Sequence, residues 1–174
     1  MKHLFSLILA SAPFLLFAQA PPTTIQEAAI GSLMYTEGRI VQLAEAIPEE
    51  KYTWRPDEGV RSVAESLLHV AAANYFIMMT SGHTPPEGVD IMTLEKSTTK
   101  KADVIAAIKA SYEYARAGVG TMTKKSLDDA VDFPFPGEYN KRSALMVVTG
   151  HCEEHMGQMV AYARMNGIAP PWSE

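Results

Sequence analysis

The chain has 174 residues, of which 47% are hydrophobic and 20% charged, and its formal net charge is −5. That length suits one domain and excludes a large multidomain enzyme, and the mild acidity argues against a broad nucleic-acid footprint. The single cysteine, Cys152, excludes an intramolecular disulfide and a four-cysteine zinc site, so the placement of the five histidines carries the chemical information.

The amino terminus reads as an export segment. Lys2 and His3 precede the apolar run LFSLILASAPFLLF, which ends in Ala18-Gln19-Ala20 before Pro21-Pro22. A basic start, an apolar middle and small residues at −3 and −1 of a cut after Ala20 make a signal peptide. The run is short against the ~20 apolar residues of a spanning helix. The expectation is a signal peptide over residues 1–20 and a helical domain over residues 21–174. That domain is expected to act in the periplasm or outside the cell, with no stable membrane insertion after cleavage.

Four helices are predicted in the remainder. The first runs from Thr24 to Ile47, where Ile25, Ala29, Leu33, Ile40, Leu43 and Ile47 form an apolar stripe. Pro48 stops it. A polar, turn-rich stretch follows, with Tyr52 and Trp54 available to anchor it on the core. The second helix starts at Arg61 or Ser62 and reaches Thr80; Ser62 and Glu65 have capping-box spacing. Residues 81–88 are a Gly/Pro-rich break, and His83 within it is expected in a surface loop. The third helix starts after Ser97-Thr98-Thr99 and runs towards Met122, with Gly118 and Gly120 weakening its end. Residues 121–139 form a connector whose Phe133-Pro134-Phe135-Pro136-Gly137 is poor helix sequence but good packing sequence. The fourth helix covers Lys141 to Asn166 and stops at Gly167. Four amphipathic helices in one domain predict an all-α, four-helix bundle.

His151 and His155 are spaced i,i+4, which puts both rings on one face of the fourth helix along with Val148, Met159 and Tyr162. Imidazole suits zinc, nickel, copper or iron. His69, midway along the second helix, is the natural third ligand, and three histidines with an open position make a catalytic-type metal site. Glu65, Asn74, Glu154 and Gln158 are candidates to orient the rings. The competing reading is a set of buried histidines in structural hydrogen bonds. Cys152 stands where the zincin motif needs glutamate, so protease chemistry is not indicated. Its side chain points about 100 degrees away from His151 and reads as a buried thiol packed among Leu145, Val148, Met156 or Met159. No catalytic side chain beyond the possible ligands can be assigned.

Two segments carry a family resemblance. One is Tyr52-Thr53-Trp54-Arg55-Pro56 with Gly59-Val60-Arg61-Ser62-Val63 and His69. The other is Gly150 to Gln158, closed by Tyr162 to Pro171. In this order and separation they resemble the DinB-like family, also called DinB/YfiT-like. The resemblance implies a four-helix bundle of the DinB-like type with a divalent ion, zinc or nickel, held by His69, His151 and His155 near an open cleft. It also implies a small-molecule substrate, of unknown identity, and homodimerisation as an option. The family includes metal-dependent thiol transferases and a thiol-dependent isomerase. The expected function is therefore an exported metal-dependent enzyme, hydrolase or thiol-transferase-like, with a noncatalytic metal-binding or sensing protein as the alternative.

Overall fold

The computed structural model describes residues 23–173. The expected signal peptide lies outside the described residues. Four long helices dominate: α1 (Ile25–Ala46), α2 (Val63–Thr80), α3 (Lys101–Thr121) and α4 (Lys141–Met165). Their bounds match the sequence reading to within a residue or two. Each of α1, α2 and α4 starts at a side-chain cap, Thr24 with Glu27, Ser62 with Glu65 and Asn140 with Ser143, closing reciprocal bonds over the first turn. No helix among the described residues is long and apolar enough to cross a membrane.

The neighbouring pairs are α1–α3, α3–α2, α2–α4 and α4–α1. Named contacts set their directions. Gln26 reaches the Met122 carbonyl while Glu37 pairs with Arg116 and Glu45 with Lys109, so α1 and α3 are antiparallel. Asn74 donates to Ser111 and Met78 lies against Gly118, so α2 and α3 run parallel. Tyr162 donates to the Arg61 carbonyl and Cys152 to Asn74, so α2 and α4 are antiparallel. Consecutive helices α1 and α2 thus sit across the bundle diagonal.

A parallel α2–α3 pair requires the chain to climb back the full length of the bundle between them. Residues 81–100 do this, and a 3-10 turn at Leu94–Lys96 packs on α2. The crossover explains why α2 is buried on several faces: Val63, Leu67, Val70, Asn74 and Ile77 are buried, and so are Ala64, Ser66, Leu68, Ala71 and Tyr75.

The connector after α3 contains structure not anticipated from sequence. A turn at Ser126–Asp128 leads into a two-stranded antiparallel ladder, β1 (Ala130–Val131) and β2 (Tyr139–Asn140), with Ala130 opposite Asn140 and Val131 opposite Tyr139. Phe133 is buried in the core, stacks on Phe135 and meets the edge of Tyr139. Gly137 has φ +135°, and a Cβ there would lie 2.8 Å from the Tyr139 hydroxyl, so the turn needs glycine. His83 is half-buried rather than a free loop residue, because Gly118 lets its ring approach α3.

The end of α1 shows how sequence-distant groups close the frame. Ala44 would pass its carbonyl to the amide of residue 48, but Pro48 has none. The fully buried Tyr52 hydroxyl donates to that carbonyl instead at 2.7 Å. Lys101, at the start of α3, takes the Glu45 and Ile47 carbonyls. Tyr52→Phe strands the Ala44 carbonyl and is expected to lower stability by about 1–3 kcal/mol, measured as a drop in the urea midpoint with an unchanged m-value.

Candidate metal centre

α2 supplies His69, and α4 supplies His151 and His155 one turn apart. The antiparallel α2–α4 contact brings the three rings together: centroid separations are 5.1 Å for His69–His151, 4.9 Å for His69–His155 and 4.4 Å for His151–His155. One ligand atom from each lies within 4.8 Å of the others. The Nε2 atoms of His69 and His151 are 3.2 Å apart. Ligand atoms about 2.0–2.1 Å from a tetrahedral ion stand about 3.3 Å from one another, so that pair already has ligand spacing.

The outer ring atoms decide which lone pairs face inward. His69 Nδ1 lies 2.9 Å from Glu95 Oε2, and a carboxylate only accepts, so Nδ1 donates and Nε2 keeps its lone pair. His155 Nδ1 donates to Gln158 Oε1 at 2.7 Å, which leaves its Nε2 a lone pair. Gln158 in turn donates to the Tyr162 hydroxyl, which donates to the Arg61 carbonyl. His151 Nδ1 is buried without a partner among the described residues, and the ring's polar contact there is Nε2 to Nε2 of His69. His69 and His155 thus turn lone pairs inward beside His151, and the cluster suits a divalent metal ion.

Burial favours the neutral form of His69 and His151, the form that ligates. Burial lowers the pKa of His151 to about 4, helped by His155, His69 and Arg61. Burial also lowers His69, as does Arg61, against the opposing pull of Glu95. Burial raises the Glu95 carboxyl, but the bonds from Arg61 and His69 outweigh it and hold the group below its ordinary value. Glu95 therefore stays ionised as an acceptor for His69.

Of the four residues expected to orient the rings, Gln158 does so. Glu65 is occupied one turn away, accepting from the Ser62 amide and pairing with Arg55. Asn74 is in the core between Ser111 and Cys152, and Glu154 faces solvent. Glu95 performs the role assigned to them, and the local sequence around it carries no motif. The available signal was the length of the segment between α2 and α3, since connections beyond about 12–15 residues are commonly functional. Cys152 is fully buried, and burial pushes its thiol up to about 12. It is a core group, away from the imidazoles.

The lowered His pKa values have a consequence for metal-free protein. A base that titrates near 6.5 when unfolded and near 4 when folded destabilises the fold as pH falls through that interval, because the unfolded chain takes up the proton first. After chelation, stability is expected to decline between pH 6.5 and 4, His151 contributing on the order of 1–2 kcal/mol given its partial exposure. Urea titrations across this range should show a shallower decline for His151→Gln.

The model of the DinB superfamily matches residues 33–159. No curated protein matches the chain. Among solved structures, a DinB-like protein from Bacillus cereus ATCC 10987 superposes with a TM-score of 0.71 at 17% identity, covering 85% of this chain and 97% of its own. The DinB-like protein YjoA from Bacillus subtilis gives 0.63 at 18%, covering 80% and 92%. YfiT from Bacillus subtilis, described as a probable metal-dependent hydrolase with an unusual four-helix bundle topology, gives 0.66 at 15%, covering 87% and 95%. At these identities the structures establish the shared fold, and with the match over residues 33–159 the chain belongs to the DinB superfamily.

Proposed function

We propose that this chain is a metal-dependent enzyme whose His69, His151 and His155 hold a zinc or nickel ion, and that its reaction is hydrolysis. The observation carrying this reading is the placement of the imidazole cluster beside an open cavity. Glu95 and Gln158, which bond to His69 and His155, also line that cavity. The description of YfiT as a probable metal-dependent hydrolase favours the same chemistry.

A divalent ion at this position supplies Lewis acidity, which lowers the pKa of a water or thiol and polarises an electrophile. The residues of the chain do the positioning. Glu95 fixes His69 with Nε2 inward, and Arg61 holds Glu95 through its other oxygen at 2.8 Å. Gln158 fixes His155 in the same sense, braced by Tyr162. Trp54 packs edge-on against Tyr162 at 5.4 Å, tying that chain of bonds to the α1–α2 loop. Thiol transfer would use the same cluster with an external thiol, since Cys152 is sealed in the core. The export signal read in residues 1–20 supports a reaction outside the cytoplasm, with residues 21–174 as the mature domain.

Purified protein, after titration with zinc or nickel, is expected to hold one ion per chain by mass spectrometry. His155→Ala should lose it while keeping the helical circular dichroism spectrum. Glu95→Gln should retain the ion with affinity weakened about 10–100-fold. Folded protein that takes up no ion defeats the proposal.

A further inference from the structure

The cavity beside the histidine cluster has a volume of about 570 Å³ and draws its walls from four parts of the chain. Arg55 and Arg61 come from the α1–α2 loop, Glu65 from α2, Glu95 and Lys96 from the crossover, and Gln158 from α4. Three cations and two carboxylates thus share one wall system, in a protein whose formal net charge is −5.

The carboxylates are already committed. Glu65 accepts from the Ser62 amide and from Arg55 at 3.1 Å. The two oxygens of Glu95 are taken by Arg61 Nε and His69 Nδ1. The cations are not equally committed. Arg61 uses only Nε, so both of its Nη groups lack an acceptor among the described residues, and Lys96 makes no ion pair there. Glu95 and Lys96 are adjacent on one turn, so the segment that orients His69 also brings Lys96, which has no ion-pair partner among the described residues, to the cavity wall. The unmet hydrogen-bonding capacity of the wall is cationic donor, and an ion at the histidines adds to that positive field.

We infer that the cavity receives the oxyanion group of a small-molecule substrate, a carboxylate or a phosphate, which Lys96 and the free edge of Arg61 hold while the reacting end of that molecule meets the histidine cluster. This rests on the metal-enzyme reading and names its substrate class. Arg61 offers paired N–H groups that match two oxygens of one anion, and Lys96 adds a point charge. A neutral substrate would leave both cations facing an uncharged group.

The test uses zinc-loaded full-length protein with its ion content confirmed by mass spectrometry. The probes are three series of linear hydroxamates of two to five methylenes. Each carries the hydroxamate for the ion at one end and a carboxylate, a phosphonate or a carboxamide at the other. Titration calorimetry is expected to show the best anionic probe binding about tenfold or more tighter than the carboxamide of equal length. The tighter of the two anionic series identifies the headgroup. The preference should shrink as salt is raised and fall several-fold in Lys96→Gln, with ion content unchanged. A zinc-loaded protein that binds all three series alike, or a Lys96→Gln variant with the full preference, overturns this inference and leaves the metal site standing. Protein that takes up no zinc overturns the metal-site reading and this inference together.

Discussion

The parallel arrangement of α2 and α3 is the constraint from which the site follows. Two consecutive helices joined by a short turn must be antiparallel, so a parallel pair obliges the chain to return along the bundle before the second can start. Residues 81–100 make that return on the outer side of α2, where they bury a further face of the helix and carry Glu95 to His69. Without this crossover, His69 would have no carboxylate beside it, and the cavity would lose the wall that holds Lys96. The connection is a structural component of the centre as much as a link between helices.

The helices and the histidine cluster were legible because both obey short periodicities. Apolar residues at helical spacing mark α1 and α4, Ser62 with Glu65 marks the start of α2, and the four-residue step from His151 to His155 puts two rings on one face wherever α4 sits. Pairing His69 with them required only that α2 and α4 be antiparallel neighbours. Those features are local or nearly so. Glu95 was not legible, because its role depends on a crossover path that no nearby residue encodes. The β1–β2 ladder escaped for a related reason: two-residue strands are too short for alternation to register, and the ladder exists because Phe133 and Tyr139 pack on the bundle and on each other.

Glu65, Asn74 and Glu154 show the opposite failure. Each lies one to five residues in sequence from a histidine of the cluster, yet each has other work. Glu65 completes the cap of α2, Asn74 satisfies Ser111 and the Cys152 thiol, and Glu154 points to water. Proximity along a helix selects a neighbourhood, and the competing hydrogen-bond demands of that neighbourhood decide which side chain is free to serve the ring. Gln158 is free because its second group is satisfied by Tyr162.

The diagonal placement of α1 and α2 bears on how the chain can assemble. The first two helices to be made are not packing partners, so no hairpin of adjacent helices is available early. The inner face of α1 waits for α3, whose Lys101 also closes the carbonyls at the end of α1, and α2 waits for both α3 and α4. The pairings of α1 with α3 and of α4 with α1 and α2 therefore join segments far apart in sequence, which slows folding relative to an up-and-down bundle of the same size. During synthesis from the amino terminus, the apolar faces of the leading half stay without their partners until the trailing half has emerged, so this topology favours a chain that folds late, as one unit, over one that folds in stages.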